Sequence, residues 1–142
     1  MINQAPFYKK IFDDLSKANH VRHILTNGLT AVLKEDHSAA LVSCQLWVKT
    51  GSIHEEHLLG SGISHYLEHM LFQGTKRRSY KDINCEVQAI GGIMNAYTSF
   101  DRTVYYIDGP SESLEKYLDI LEDISLHSIL PSEAVDKERR VI

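Results

Sequence analysis

Alternation of apolar and polar residues dominates the first third of the chain, and this two-residue period is typical of β-strands. Residues 20–26 and 29–34 form two short alternating stretches on either side of Asn27-Gly28, a dipeptide that favours a type I′ turn. Residues 39–50 alternate again, so that every second residue is apolar and these side chains share one face of the strand. The pattern predicts a β-hairpin followed by a third strand with one buried face.

A helical period replaces the alternation after a loop at residues 51–62. From residue 63 to residue 71 apolar side chains recur every three or four positions, which indicates a helix with one apolar stripe. Gly74 then provides a common helix stop. A second helix is predicted over residues 80–90, with Ser79 as its amino-terminal cap and two glycines after its end.

The last third of the chain repeats the change from strands to helices. Residues 93–99 and 103–108 alternate and predict a second antiparallel pair of strands. A long helix is predicted to begin at Ser111 and to end before Pro131, which also starts a final helix over residues 132–142. We expect the buried side of the long helix to consist of Leu114, Tyr117, Leu118, Leu121, Ile124 and Ile129.

The order of these elements indicates the fold class. Strands and helices in separate runs favour an α+β fold, in which a layer of helices packs on a mostly antiparallel sheet. At 142 residues the chain has the length of one domain, so residues 1–142 are interpreted as a single domain. The final helical pattern reaches Ile142 without a carboxyl-terminal cap. We therefore expect the domain to be truncated at this end and to belong to a longer protein.

Composition excludes several classes of protein. Hydrophobic residues make up 43% and charged residues 24% of the chain, which is ordinary for a globular protein and not for a disordered one. The net charge of -4 and the scattered positive residues predict no nucleic-acid partner. No apolar run approaches the roughly 20 residues of a membrane span, and the start lacks the order of a secretion signal. These features favour a cytoplasmic protein without a membrane partner.

The chain contains only two cysteines, Cys44 in a predicted strand and Cys85 in a predicted helix. Two cysteines supply neither a disulfide framework nor a cysteine-rich zinc site. A metal site in this chain would therefore use histidine and carboxylate ligands.

The chemistry is concentrated in the sequence His65-Tyr66-Leu67-Glu68-His69. On a helix, residues four apart are neighbours, so the two histidines can bind one zinc ion. Glu68 lies on the same edge, where a carboxylate can accept a proton from a zinc-held water. This order of residues is the signature of the inverted zinc peptidases. The alternative is a helix with two surface histidines beside an unrelated glutamate.

Further motifs accompany this sequence in a fixed order along the chain. They are Asn27-Gly28-Leu29, Gly51-Ser52 with Glu55, residues 62–75 (GISHYLEHMLFQGT), residues 91–98 (GGIMNAYT) with Asp101, Thr103 and Tyr105, and residues 138–142 (ERRVI). Together these motifs resemble those of the M16 metallopeptidases, which include pitrilysin, insulin-degrading enzyme and the mitochondrial processing peptidase. The resemblance covers almost the whole chain and implies the fold of an M16 amino-terminal domain.

The resemblance implies a role for each matching residue. His65 and His69 would bind Zn²⁺, and Glu68 would activate water for attack on a peptide carbonyl. The family's third ligand is a glutamate seven residues after the position of Glu138, which falls three positions past Ile142. Glu138 would support the catalytic site from the same helical face, since seven residues make two turns. The alternative is a solvated helix carboxylate.

The segment Asn95-Ala96-Tyr97-Thr98 resembles the edge strand on which the family binds its substrate as an added strand. Asn95 and Ala96 are the best candidates for contacts near the substrate backbone, although they could simply shape the strand. Tyr97 is more typical of a core or sheet-face residue.

Two functions remain open from the sequence. The first is a zinc metalloendopeptidase that hydrolyses peptides or small unfolded proteins, completed by a second homologous domain or subunit. The second is a non-catalytic homologue that serves as a peptide-binding or assembly subunit. The intact His65, Glu68 and His69 favour the enzyme. Members of the family also occur in the periplasm and in organelles, so these compartments stay open besides the cytoplasm.

Overall fold

The computed structural model describes residues 20–140. The chain divides into two compact units, residues 1–39 and 40–142, and each is described by itself. The end of the predicted final helix, residues 141 and 142, lies outside the described residues. Within the described part no helix has the length and apolar character needed to cross a membrane.

The first unit contains the predicted hairpin, with strand β1 at His20–Ile24 paired antiparallel to β2 at Thr30–Lys34. The predicted type I′ turn is wrong. Gly28 has a positive φ of 86°, whereas Asn27 does not, and a type I′ turn needs both. The Gly28 amide donates to the carbonyl of Leu25 at 2.9 Å, as in a type I turn followed by a glycine bulge.

The second unit is built on an antiparallel sheet of three strands, β3 at Leu41–Val48, β4 at Ile93–Thr98 and β5 at Thr103–Pro110. Its order is β3-β5-β4, so β5 is central and β4 lies at an edge. Antiparallel strands combined with separate helices confirm the predicted α+β class.

Helices cover one face of this sheet. They are α1 at Ile63–Leu71, α2 at Tyr80–Ala89, α3 at Leu114–Leu126 and α4 at Ser132–Glu138, with short 3₁₀ turns at Ser52–His54, Glu56–Leu58 and Ser111–Ser113. The predicted cap of α2 is confirmed, because the Ser79 hydroxyl accepts the amide hydrogen of Asp82 at 3.2 Å.

The predicted boundaries and buried side of α3 are partly wrong. The segment from Ser111 begins as a 3₁₀ turn, and α3 ends at Leu126 rather than next to Pro131. Leu114, Leu118 and Ile129 are exposed, whereas Ile120 and Asp123 are buried beside the correctly predicted residues. The buried face of α3 is therefore rotated away from its most apolar side, because the ion pair of Asp123 with Arg78 occupies part of the buried face.

The hydrophobic core lies between the sheet and the helices α2 and α3. Its buried members are Cys44, Ile83, Val87, Tyr105, Ile107, Tyr117, Ile120, Leu121 and Ile124. The core holds β5 against α3 and fixes the central strand from which the edge strand β4 extends.

A buried ion-pair network fastens the segment between α1 and α2 to α3. Arg78 donates to Asp123 at 2.8 Å and also to Asp119 and Glu86. Arg77 donates to the other oxygen of Asp123 at 2.9 Å. Burial by itself lowers the pKa of Arg78, but the hydrogen bonds to Asp123, Asp119 and Glu86 outweigh it and raise the pKa. The guanidinium therefore stays charged in the interior.

Acid is expected to weaken the fold through Asp123. Burial tends to raise the pKa of this carboxyl, but hydrogen bonds from Arg77, Arg78 and Thr75 hold it below the ordinary value of 3.8. A carboxyl with a lowered folded-state pKa stabilises the fold above its unfolded pKa, and this contribution is lost as pH falls through the folded value. Urea unfolding free energies of the wild type and Asp123→Asn should begin to converge as pH falls below about 4, the ordinary pKa of an aspartate, and continue to converge through the lower folded-state pKa. Parallel curves would contradict the expectation.

Candidate metal centre and active-site cleft

The start of α1 is held in place by two contacts. Gly51 packs so closely against the β4–β5 turn that an added Cβ would lie 2.2 Å from the carbonyl oxygen of Ser99. The buried Glu55 carboxylate accepts the amide hydrogen of Ser64 at 2.9 Å in the first turn of α1. This hydrogen bond lowers the pKa of Glu55, and the negative charge favours the positive end of the helix dipole.

α1 brings His65, Glu68 and His69 together. One possible ligand atom from each residue lies within 4.8 Å of the others. The two imidazole rings are 4.8 Å apart between centroids and nearly perpendicular. His65 is exposed, His69 is half-buried and Glu68 is buried. The cluster is therefore open to solvent on the histidine side and closed behind the carboxylate.

Glu138 of α4 lies directly behind His69. Its Oε2 is 3.0 Å from His69 Nδ1, and its Oε1 accepts a hydrogen bond from Gln73 at 3.1 Å. Because an ionised carboxylate only accepts, this contact places the hydrogen on Nδ1 and leaves Nε2 of His69 as an electron-pair donor. Glu138 is only 6% exposed, so the interpretation as a solvated carboxylate is wrong.

A third contact fastens α4 to α1 one turn away. The Tyr66 hydroxyl donates to the carbonyl oxygen of Val135 at 2.7 Å. Together with the two hydrogen bonds of Glu138, it holds two successive turns of α4 against the histidine helix. The position of Glu138 therefore rests on helix packing as well as on its own side-chain contacts.

Side chains of β4 alternate between the two faces of the sheet. Asn95 and Tyr97 are exposed on the face away from the helices, whereas Ala96 and Thr98 lie on the helical side. The Thr98 hydroxyl donates to Glu68 Oε2 at 2.5 Å. Of the four residues predicted to bind substrate, Thr98 is thus the one whose side chain contacts the metal-site helix.

Within the described residues, β4 lies at an edge of its sheet and pairs with β5 alone. The Ser99 amide donates to the Arg102 carbonyl at 2.8 Å, and pairing alternates along an antiparallel ladder. The backbone groups of Ala96 and Thr98 therefore point away from β5. The side-chain oxygen of Asn95 accepts the amide hydrogen of Ala96 at 2.9 Å, so this edge donor is already occupied by a neighbouring side chain.

A cleft of about 300 Å³ lies beside the cluster, between α1, α2, β4 and α4. Its lining residues are Glu68, His69, Phe72, Gln73, Tyr80, Asn84, Met94, Asn95 and Glu138. The cleft therefore lies between the carboxylate of Glu68 and the edge strand β4.

The floor of the site is apolar. Tyr105 of β5 is buried, and its ring packs against Phe72 with 5.8 Å between centroids. Burial raises the pKa of the Tyr105 phenol, and the charge of Glu68 raises it further. Tyr105 therefore stays neutral beneath the carboxylate and belongs to the core, as its position in a strand predicts.

The sequence patterns missed Gln73 and Tyr66, and they named Thr98 as a substrate contact without its hydrogen bond to Glu68. Gln73 follows His69 by four positions, so helical spacing alone places both on the face that meets Glu138. No spacing rule relates Thr98 to Glu68, which lies 30 positions earlier in the chain. Only the packing of β4 against α1 brings these two side chains together.

Comparison with known proteins gives a consistent result. Residues 30–142 match the family model described as Insulinase (Peptidase family M16). The mitochondrial-processing peptidase subunit beta of Bos taurus is 42% identical over 118 residues, which is 83% of this chain and 24% of that protein. The subunit of Saccharomyces cerevisiae is 39% identical over 118 residues, covering 83% of this chain and 25% of that protein.

A solved structure is also similar. The crystal structure of a protease from Helicobacter pylori has a TM-score of 0.81 and 31% sequence identity, over 87% of this chain and 30% of that one. The chain thus spans about a quarter of the length of the curated relatives it matches. Residues 30–142, which match the family model, contain the cluster and the edge strand described above.

Proposed function

This chain belongs to the insulinase family of peptidases, M16, and from that premise we propose that it provides the zinc-binding histidines and the catalytic base of a metalloendopeptidase. The observation that carries the proposal is the convergence of His65, Glu68 and His69 within 4.8 Å, with Glu138 behind His69. The substrates would be peptides or small unfolded proteins.

The donor set fits zinc. Imidazole nitrogen is a common zinc ligand, and zinc-binding histidines usually donate their second ring hydrogen to a carboxylate. Glu138 accepts such a hydrogen from His69. Catalytic zinc normally has three protein ligands, and the family resemblance assigns the third to a glutamate seven residues after Glu138. His65 and His69 would therefore hold the metal together with a residue past Ile142.

Glu68 would act as the general base. Zinc, when bound, lowers the pKa of water and polarises a carbonyl oxygen. Glu68 takes a proton from the attacking water while the oxygen of that water adds to the peptide carbonyl carbon. Glu68 then delivers this proton to the leaving nitrogen as the carbon–nitrogen bond breaks. The buried position of Glu68 beside the cleft supports this role, because a partly desolvated carboxylate interacts strongly with a nearby proton donor.

The substrate would bind to the edge of β4 as an additional strand. Backbone hydrogen bonds then provide affinity for any extended peptide, and the cleft receives a side chain. Asn95 and Ala96 carry the first contact, because the Asn95 side chain occupies the Ala96 amide and would leave it when a peptide carbonyl arrives. Tyr97 and Thr98 follow along the same strand.

A second homologous domain or subunit would complete the enzyme. The relatives are named as the beta subunit of a peptidase, and the chain covers about a quarter of their length. This partner and the cytoplasmic location stay predictions.

A calorimetric zinc titration of the complete gene product tests the metal site. We expect one zinc per chain and its loss in His69→Ala. Glu138→Gln should weaken zinc binding about 10–100-fold, because the amide orients the imidazole less strongly than the carboxylate does. His57→Ala, which replaces an exposed histidine outside the cluster, is the matched control. Equal zinc affinity in His69→Ala and the wild type would refute the proposed metal site.

A further inference from the structure

Thr98 makes a contact that substrate binding does not explain. Its hydroxyl donates to Glu68 Oε2 at 2.5 Å, from a strand that pairs with the centre of the sheet. Among residues 20–140 this is the single hydrogen bond to the Glu68 side chain that the structure contains. The second carboxylate oxygen, Oε1, has no such partner among these residues, and the Glu68 side chain lines the cleft.

The neighbouring Thr103 determines where the Thr98 hydrogen points. Thr103 is the ladder partner of Thr98, and its hydroxyl donates to the carbonyl oxygen of Thr50 at 3.0 Å. Each hydroxyl has one hydrogen to donate. The two hydroxyl oxygens are 3.4 Å apart, so neither hydrogen is needed between them. The Thr98 hydrogen is therefore directed to Glu68, which as a carboxylate can only accept it.

We infer that Thr98 is a positioning residue for the catalytic base. Its hydroxyl fixes one oxygen of Glu68 and so turns the other oxygen toward the cleft, where the water and the scissile bond would lie. This inference rests on the proposed function of Glu68. It changes the role predicted for Thr98 from a substrate contact to a support of the base.

The physical reason is the orientation of a flexible side chain. A glutamate has several rotatable bonds, and a base acts efficiently only when its oxygen stays within hydrogen-bond reach of the proton it removes. A hydrogen bond to a charged acceptor is among the stronger ones in proteins, and Glu68 is 7% exposed, so water competes poorly for this oxygen. β4 carries both the hydroxyl and the proposed peptide-binding edge. The strand would therefore align the substrate and the base with each other.

The test compares three variants of the complete gene product. Thr98→Val removes the donor while keeping the branched shape, Thr98→Ser restores the donor, and Thr30→Val changes an exposed threonine of β2 that lies outside the cluster. Each is assayed on an unstructured fluorogenic peptide. Thr98→Val should lower kcat about 10–100-fold with KM within about twofold, whereas Thr98→Ser should recover most of kcat. Thr30→Val should keep the kcat of the wild type.

Two further measurements separate positioning from general damage. Zinc affinity should stay within about threefold in Thr98→Val, because Thr98 contacts neither histidine. A crystal structure of Thr98→Val should show the Glu68 carboxylate displaced from its position in the wild type. Unchanged kcat in Thr98→Val, or an equal loss in Thr98→Ser, would overturn the inference. A rise in KM alone would return Thr98 to the role of a substrate contact.

The outcomes also separate this inference from the proposed function. An inactive parent protein would refute the peptidase proposal, and the crystal structure of Thr98→Val would still show whether Thr98 positions Glu68. An active parent that loses activity in Glu68→Gln but keeps it in Thr98→Val would refute the inference alone.

Discussion

Replacement of Glu68 by glutamine is expected to reduce peptide hydrolysis by the complete gene product by at least about 10²–10⁴-fold, the usual contribution of a general base. Glutamine has nearly the same shape and can still accept the hydrogen of Thr98 through its amide oxygen. It cannot take a proton from water. The variant should therefore fold and bind zinc like the wild type while losing kcat.

Glu56→Gln provides the control for this prediction. Glu56 is an exposed glutamate in the short turn before α1 and lies outside the cluster. Circular dichroism and zinc titration of both variants should match the wild type. Retention of wild-type kcat in Glu68→Gln would exclude Glu68 as the base. Zinc binding without hydrolysis in the wild type would favour a non-catalytic binding or assembly subunit.

Replacement of Asp123 by alanine is expected to be the most destabilising single change at the interface between α3 and the segment before α2. Asp123 is fully buried and bonds with Arg77, Arg78 and Thr75. Its removal leaves the buried guanidinium of Arg78 without its innermost acceptor. Breaking a buried ion pair on one side typically costs about 3–5 kcal/mol. Urea unfolding at neutral pH measures this loss as a reduced free energy of unfolding.

Two variants show whether the cost comes from the unpaired charge. Asp119→Ala removes a partner of the same arginine that is 36% exposed at its side chain, and it should cost only about 1 kcal/mol or less. Combining Asp123→Ala with Arg78→Met removes the buried charge itself. The double variant should recover part of the lost stability. If the losses of stability in Asp123→Ala and in Arg78→Met, each measured alone, add up to the loss in the double variant, Asp123 and Arg78 are not coupled.

The sequence predicted α3 as an amphipathic helix but misplaced its buried face. Hydrophobic period favours the side with most leucines, and the charged Asp123 lies on the opposite side of the helix from Leu114. In the structure Asp123 is buried because Arg77 and Arg78, 45 or 46 residues earlier, supply its partners. A local pattern contains no information about a partner so far along the chain. The exposed Leu114 and Leu118 follow from the same rotation of the helix.

The hairpin shows a similar limit at shorter range. Asn27-Gly28 correctly predicted the reversal of the chain, because glycine at this position can adopt a positive φ. The turn type depended on where the flanking strands began to pair. The Leu25 amide donates to the Leu29 carbonyl at 2.8 Å, so the tight loop holds the three residues 26–28 instead of two.

The sequence alone determined the class of the fold, the helix that carries His65, Glu68 and His69, and the relation between these side chains. Helical spacing is a local property, so residues three and four apart must be neighbours whatever surrounds them. Tertiary structure decided which groups support them. Packing of α4 places Glu138 on His69, and packing of β4 places Thr98 on Glu68. The first contact joins two residues that are 69 positions apart in the chain, and the second joins two that are 30 positions apart. Only the folded core determines which of such distant side chains meet.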